Sequence, residues 1–185
     1  EMGYLVKLLA VIRAVGDTIE AGVRPTLVPQ NHLLAAVRYE FNAVYVKGDI
    51  ADATLYYGRG AGRMPTASAV VADIMDIARR GDAAPQPPFV YAHERALCDP
   101  GQTESRYYLR LTTLDKPGVL GKVCTILGNH GVSIASCIQK EQHPDNCVPV
   151  ILMTHLTTDA ALRSALREID ALDFVGEKAH VIHVL

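Results

Sequence analysis

Residues 56–80 read YYGRGAGRMPTASAVVADIMDIARR, and this stretch organises the first half of the sequence. It runs from a strand-like segment through Gly58, Gly60 and Gly62 into a predicted helix that has Pro65 at an early position. Proline suits the first turn of a helix because its nitrogen carries no hydrogen that would be left unbonded there. The stretch therefore predicts a strand, a glycine loop and a helix, in that order.

The glycine spacing excludes two phosphate-binding motifs. A dinucleotide-binding fingerprint needs its third glycine at position 63, which holds Arg63, and no acidic residue follows at the expected distance. The loop also lacks the Gly-Lys-Ser/Thr sequence of a P-loop. Two interpretations stay open. One is a tight structural turn, the usual role of loop glycines, and the other is a ligand site in which backbone N–H groups approach a bound molecule.

The helix predicted from Pro65 has an unusually wide apolar face, which needs a partner surface. Its apolar residues are Ala69, Val70, Val71, Ile74, Met75, Ile77 and Ala78. The sequence then changes to GDAAPQPP at 81–88, whose three prolines disfavour regular structure. Residues 81–106 are therefore predicted to be a linker, in which 89–106 form a partly ordered connection with a turn at Pro100-Gly101.

Two β-hairpins are predicted before the glycine loop, within residues 4–28 and 41–57, because strand-like segments flank turn dipeptides there. Residues 29–37 lie between them and are predicted to form a short helix with Asn31 as its N-cap. The exposed edges of such hairpins tend to be covered by pairing. The sequence thus predicts a homodimer or a larger symmetric oligomer.

From residue 107 onward, the pattern follows the order strand, helix, strand, strand, helix, strand. The strands are predicted at 107–114, 132–142, 148–157 and 179–185, and the helices at 117–129 and 159–172. Gly131 and Thr158 are the expected helix caps. This order is the ferredoxin-like arrangement, in which two helices cover one face of an antiparallel sheet. The predicted fold class is α+β, with a mixed or antiparallel sheet region followed by this C-terminal βαββαβ domain.

Composition is that of an ordinary globular protein, with 185 residues of which 49% are hydrophobic and 21% are charged. The formal net charge of -2 and the absence of a basic cluster argue against nucleic-acid and anionic-membrane partners. No run is long enough to span a membrane, and no signal-peptide pattern is present. The expected location is cytoplasmic.

The potential metal ligands are scattered. The four cysteines have no CxxC spacing, which favours reduced thiols over a zinc site. His180 and His183 lie three apart on a predicted strand, so they point to opposite faces and cannot hold one metal together. Tyr107 is interpreted as a strand aromatic.

The string YGRGAGRMPTASAVVADI at 57–74, together with RPTLVP at 24–29 and FNAVYVKGD at 41–49, resembles the homoserine dehydrogenase family. The resemblance implies an NAD(P)-dependent oxidoreductase that interconverts aspartate semialdehyde and homoserine in threonine and methionine biosynthesis. It places the nucleotide-binding domain and the catalytic lysine upstream of residue 1. No catalytic residue is therefore assigned to this chain, which alone is expected to be inactive.

The resemblance also implies a role for the glycine loop, which reaches the nicotinamide side of the cofactor in this family. The implied cofactor contacts are Gly60, Gly62, Pro65 and Thr66. The helix that follows packs back onto the nucleotide-binding domain. NAD(P) is therefore expected in the whole protein, with no tight binding by this chain alone.

The loop LDKPGVL at 114–120 resembles the signature of ACT domains, small regulatory modules that bind amino acids. The N terminus of the following helix suits a carboxylate, and Asp115 suits an ammonium group, with helix capping as the alternative role of Asp115. Threonine is the effector by resemblance, placed between this loop and residues 129–134 of a neighbouring module. The predicted effector contacts are Asp115, Gly118, Val119, Leu120, Asn129 and Ile134.

These observations divide the sequence into residues 1–80, the end of a catalytic and dimerisation region, a linker at 81–106, and an ACT domain at 107–185. Two functions are compatible with this division. One is the C-terminal portion of a homoserine dehydrogenase, and the other is a stand-alone amino-acid-binding and dimerising module without catalysis. An unrelated amino-acid-binding regulator would leave residues 24–80 unexplained.

Overall fold

The computed structural model describes residues 2–81, 94–139 and 147–185. Contacts between Cα atoms divide the chain into two units, Glu1–Pro29 with Arg95–Leu185, and Gln30–Glu94. The predicted domain boundaries at residues 80 and 106 differ from this division, because the contacts group Glu1–Pro29 with the C-terminal residues. The predicted boundaries describe segments of the sequence and stay a prediction. No described helix combines the length and apolar character needed to cross a membrane.

The chain begins with a long hairpin of β1, Tyr4–Val15, and β2, Thr18–Pro29, which pair antiparallel along their whole length. Gly16 has a φ of 55° at the turn, a conformation that favours glycine. The hairpin predicted within residues 4–28 is confirmed.

In the second unit, a 3-10 helix spans Leu33–Ala36. Its N-cap is His32, whose Nδ1 accepts a hydrogen bond from the Leu34 N–H at 3.2 Å. The prediction that Asn31 is the cap is wrong, because the helix begins at Leu33 and the capping position is the residue directly before it.

The rest of the second unit is a hairpin followed by a helix. The predicted hairpin is confirmed as β3, Phe41–Lys47, and β4, Ala53–Arg59, which pair antiparallel. The rings of Phe41 and Tyr57 stack with their centroids 4.9 Å apart. The helix, α1, spans Arg63–Arg80 and begins two residues before Pro65.

The C-terminal elements follow the predicted order. They are β5, Glu104–Leu114; α2, Val119–Asn129; β6, Ile134–Gln139; β7, Cys147–Thr154; a short β8, Thr157–Thr158; α3, Asp159–Asp170; and β9, Val175–Val184. The turn predicted at 143–146 lies outside the described residues. Part of the predicted linker is structured, since Pro100–Gln102 is a 3-10 helix and the Cys98 N–H donates to the Ile19 carbonyl at 2.9 Å.

One sheet joins the hairpin to the C-terminal strands in the order β1-β2-β9-β5-β7-β6. The four neighbours β9, β5, β7 and β6 are antiparallel, which is the ferredoxin-like order and confirms the α+β prediction. β2 pairs with β9 in parallel at Thr26↔His183 and Leu27↔Val184, so the whole sheet is mixed. This pairing explains why the N-terminal hairpin belongs to the first unit.

The core of the first unit lies between the sheet and the helices α2 and α3. Buried and less buried residues alternate along β5, so one face of the strand meets the helices. α3 buries Leu162, Ala165, Leu166 and Ile169, the spacing of a helix with one apolar stripe. The largest fully buried side chains are Tyr107, Leu109, Leu111, Leu127, Leu152, Leu162 and Ile169.

Both helices of this domain are capped as predicted. Thr158 is the N-cap of α3, and its hydroxyl accepts from the Ala161 N–H at 3.3 Å. After α2, Gly131 has a φ of 73°, and the Val132 N–H donates to the Leu127 carbonyl at 2.9 Å. This bond belongs to a Schellman motif, and the buried Val132 beside Leu127 supplies its apolar contact.

Candidate cofactor loop and effector loop

The glycine loop connects β4 to α1. Gly58 lies within β4, Gly60 follows the strand, and Gly62 is the N-cap of α1. The Thr66 N–H donates to the Gly62 carbonyl at 3.0 Å, so the first helical turn closes on Gly62. Pro65 is partly buried in that turn and Thr66 is exposed. The structure thus brings the predicted cofactor residues together at one exposed helix start.

Gly60 lies beside the side chain of Asn42. A Cβ built there would overlap the amide of Asn42, but that side chain is exposed and can rotate away. The Gly60 N–H donates to the Glu40 carbonyl at 2.8 Å, so this donor is already used within the protein. This backbone hydrogen bond favours the turn interpretation at this position, because the Gly60 N–H is not offered to a ligand.

Gly62 is constrained by its backbone instead. Its φ is 122°, a conformation that L-residues rarely adopt, while an added Cβ would meet Pro65 only at an ordinary 3.4 Å. As a glycine it gives α1 no side-chain cap. Positive φ and an uncapped helix start fit both a turn and a loop that receives an anionic group. Cofactor contact by Gly60, Gly62, Pro65 and Thr66 therefore stays a prediction.

The wide apolar face predicted for α1 is exposed. None of its 18 residues is buried, and Ile74 and Ile77 are 59% and 69% exposed. We call this surface the α1 face; it consists of Met64, Val70, Val71, Ile74, Met75 and Ile77. An apolar face of this size marks an interaction surface.

The predicted effector loop borders a hollow of about 290 Å³. The loop passes from β5 into α2, and Gly118, with φ of 88°, is the left-handed N-cap of that helix. Gly118 offers no side-chain cap, so the helix start faces the hollow without one. The hollow is lined by residues 113–120 together with Gln139 and Val150. Asp115, Gly118, Val119 and Leu120 are therefore gathered around one space.

Asp115 does not act as a helix cap, because Gly118 occupies that position. Its Oδ1 accepts a hydrogen bond from Nε2 of Gln139 at 3.2 Å. Sequence reasoning missed Gln139, since only the packing of β6 beside the loop brings it there. The alternative role of Asp115 as a cap is thus wrong, and its carboxylate is left at the edge of the hollow.

Asn129 and Ile134 lie elsewhere in the same copy. Asn129 is the exposed last residue of α2 and Ile134 is the partly buried first residue of β6. The 11 residues of α2 place Asn129 about 15 Å from the helix start. Neither residue lines the hollow. Their approach to the loop of a neighbouring copy stays a prediction.

Two family models match this chain in succession. Residues 1–75 match the homoserine dehydrogenase model, and residues 107–174 match the ACT domain model. The second match coincides with the βαββαβ fold and its hollow. The chain thus joins a segment that matches the homoserine dehydrogenase model to a segment that matches the ACT domain model. The resemblances predicted from both loops are confirmed.

Known homoserine dehydrogenases align with the whole chain. That of Neisseria gonorrhoeae is 42% identical across 100% of this chain and 44% of its own length. That of Pseudomonas aeruginosa is 42% identical across 95% of this chain and 42% of its own length. The crystal structure of a homoserine dehydrogenase from Thiobacillus denitrificans covers 99% of the chain with a TM-score of 0.85 and 39% identity, over 43% of that protein. The chain thus spans less than half the length of these relatives.

Proposed function

We propose that this chain is the C-terminal part of an NAD(P)-dependent homoserine dehydrogenase that interconverts aspartate semialdehyde and homoserine in threonine and methionine biosynthesis. The main support is that relatives named homoserine dehydrogenase align with both modules as one continuous sequence. The free state of all four cysteines supports a reducing, cytoplasmic location.

The glycine loop and the α1 face are the parts of this chain that serve catalysis in our proposal. The nicotinamide cofactor supplies or accepts the hydride when it is bound. Gly60, Gly62, Pro65 and Thr66 would hold its nicotinamide half, and the α1 face would pack on the nucleotide-binding domain. The exposure of both the loop and the face supports this assignment.

Activity measurements test whether the catalytic residues lie outside this chain. We expect the 185-residue chain alone to give no homoserine-dependent change in nicotinamide absorbance, because hydride transfer needs a cofactor held against the substrate. The whole enzyme that contains this sequence serves as the control and should turn over. Turnover by the purified chain would contradict the proposal that the catalytic residues lie outside it, and an inactive whole enzyme would contradict the proposed reaction.

The ACT domain is an amino-acid sensor in our proposal, and threonine is its effector. The ligand carboxylate lies at the start of α2, where the helix dipole and free N–H groups favour an anion. The ammonium group lies at Asp115, whose carboxylate is fixed by Gln139. This sensing and dimerising role is also the second candidate function, and it is favoured by a βαββαβ domain that packs a core of its own.

Calorimetry with threonine tests the role of Asp115. The sharpest variant is Asp115→Asn, because asparagine can still accept the Gln139 hydrogen bond while its charge is lost. We expect the dissociation constant to rise about tenfold, the size of a lost charged hydrogen bond. The exposed Asp173 gives a matched control, Asp173→Asn, which should bind like the parent. Unchanged binding by Asp115→Asn would remove Asp115 from the site, and no threonine binding at all would leave the domain structural.

A homo-oligomer forms through the first hairpin in our proposal. One face of the β1–β2 ribbon is apolar and exposed, with Leu8 and Ile12 at 72% and 79% exposure and Val23 on the same side. A second copy would bury this ribbon face. Light scattering should show a dimer or larger at micromolar concentration, and Leu8→Lys should shift it toward monomer. A monomeric parent chain would contradict the proposal.

A further inference from the structure

The first residues of β9 lie beside the effector loop. Thr113 of β5 pairs with Val175, and the Leu114 N–H donates to the Phe174 carbonyl at 2.9 Å. Thr113 and Leu114 also line the hollow beside Asp115. A displacement of this loop is therefore passed directly to the beginning of β9.

The last residues of β9 hold the N-terminal hairpin. The strand pairs in parallel with β2 at two positions, and the Leu185 N–H donates to the Leu27 carbonyl at 3.0 Å. Leu27 and Val184 are buried in a small apolar cluster with Met153. Directly after β2 ends at Pro29, the chain enters the second unit, which carries the glycine loop. β9 thus connects the effector loop to the strand that leads into that unit.

The half of β9 nearest the effector loop pairs irregularly with β5. From Arg110 to Thr113, four residues of β5 lie opposite six residues of β9, from His180 back to Val175. β9 therefore contains two extra residues, the arrangement of β-bulges, which interrupt the ladder of hydrogen bonds. From Arg106 to Arg110, in contrast, the two strands pair at five consecutive positions. β9 thus has a bulged first half and a regular second half.

Side chains of two neighbouring elements hold the bulged segment in place. The Thr112 hydroxyl donates to Oε1 of Glu177 at 2.7 Å. The Ala179 N–H, at the second irregularity, donates to Oδ1 of Asp170 in α3 at 3.0 Å. Because side chains alternate between the two faces of a strand, a slip by one residue moves them to the opposite face. A change of pairing in this segment is therefore a discrete step.

We propose that β9 passes effector binding from the Asp115 hollow to β2, and that residues 175–179 are the segment whose pairing with β5 changes. The regular half of β9 carries the displacement to β2 as a rigid element, and β2 leads into the unit with the glycine loop. This inference rests on the proposed role of the ACT domain as a threonine sensor. It adds the route of the signal and two residues that set its strength, Thr112 and Asp170.

An NMR titration of the 185-residue chain with threonine tests this route. We expect saturable shifts in the amide signals of residues 113–120, and also in those of residues 174–179 and 24–28. Thr112→Val keeps the branched shape and removes the hydroxyl that bonds Glu177. In this variant the shifts at 113–120 should remain, whereas those at 24–28 should be lost.

Thr125→Val is the matched control, because its hydroxyl bonds only the Gly121 carbonyl within α2. It should shift like the parent at all three segments. Parent shifts confined to residues 113–120 and 139 would overturn the proposed route and leave the sensor role intact. No saturable shift at any residue would show that the sensor role is wrong, and the route would be wrong with it.

Asp170 gives a second test, in the whole enzyme that contains this sequence. Asp170→Ala removes the acceptor of the Ala179 N–H, whereas Asp170→Asn keeps an oxygen at that place. We expect inhibition of Asp170→Ala by saturating threonine to be at least about fivefold weaker than that of the parent, while threonine still binds in calorimetry. Asp170→Asn should be inhibited like the parent. Equal inhibition of Asp170→Ala and the parent, or a parent that binds threonine without being inhibited, would contradict the proposal.

Discussion

Helices α1 and α3 are both amphipathic, but only α3 buries its apolar face within this chain. α3 is the shorter, with 12 residues, and it buries four of them in the core of its own domain. α1 has 18 residues and buries none. The βαββαβ domain therefore supplies its own packing partners, whereas the α1 face has its apolar side chains in water. An amphipathic pattern shows that a helix has a partner, but not which part of a protein supplies it.

The two hairpins repeat this contrast. The β1–β2 hairpin is tied to the C-terminal domain through the parallel pairing of β2 with β9. The β3–β4 hairpin forms a separate two-stranded sheet. A lone two-stranded hairpin is marginally stable in water. Residues 30–81 are thus the part of this chain that gains most from a partner.

The largest effect we expect comes from one substitution made in both helices. Ile169→Ala in α3 removes a fully buried side chain and should cost about 2–5 kcal/mol of unfolding free energy. Ile74→Ala in α1 removes a side chain that is 59% exposed and should change stability by less than about 0.5 kcal/mol. Urea unfolding of both variants measures the difference. Equal losses would mean that α1 packs as tightly as α3, and would break the comparison.

A smaller effect separates Tyr107 in the core from its neighbour Tyr108 at high pH. Burial, reinforced by Asp159, raises the pKa of Tyr107 to about 12 from 10.0. The folded state then keeps a proton that the unfolded state loses, so stability is full below pH 10 and falls as pH rises towards about 12. The loss should be on the order of 2 kcal/mol. In unfolding curves measured between pH 9 and about 12, Tyr107→Phe should reduce this loss of stability, and Tyr108→Phe is the control. A loss that persists in Tyr107→Phe but disappears in Tyr108→Phe would contradict the assignment to Tyr107.

The smallest effect concerns the glycine loop in residues 30–81. Gly62→Val places a branched side chain at a φ of 122° and should lower the free energy of unfolding by on the order of 1 kcal/mol. Gly58→Val in β4 is the control and should lower it less, because a Cβ there meets nothing within 4 Å. If Gly62 contacts the cofactor in the whole enzyme, Gly62→Val should also raise the Michaelis constant for the nicotinamide cofactor. A lower melting temperature with an unchanged Michaelis constant in the folded enzyme would assign Gly62 to architecture alone.

Local sequence signals predicted most of the fold. Period-two and helical spacing gave the hairpins and the βαββαβ order, and Thr158 and Gly131 marked helix ends because their capping chemistry is local. The prediction of Asn31 as a cap was wrong because capping depends on the exact helix boundary. An error of one residue in that boundary moves the cap to His32.

Long-range features could not be predicted in this way. The parallel pairing of β2 with β9 joins residues more than 150 positions apart, at Thr26 and His183. The Gln139 contact with Asp115 likewise arises only when separate elements pack together. Tyr107 and His183 have ordinary strand patterns in the sequence, so nothing there predicted that their ring centroids lie 4.7 Å apart.

Native-state hydrogen exchange tests the central claim most directly, which is that residues 30–81 complete their packing on a domain outside this chain. In the 185-residue chain we expect α3 and β5 to exchange only through global unfolding, and α1 to exchange quickly through local opening. In the whole enzyme, α1 should gain protection comparable to that of α3. Strong protection of α1 in the chain alone, or no gain in the whole enzyme, would contradict the claim.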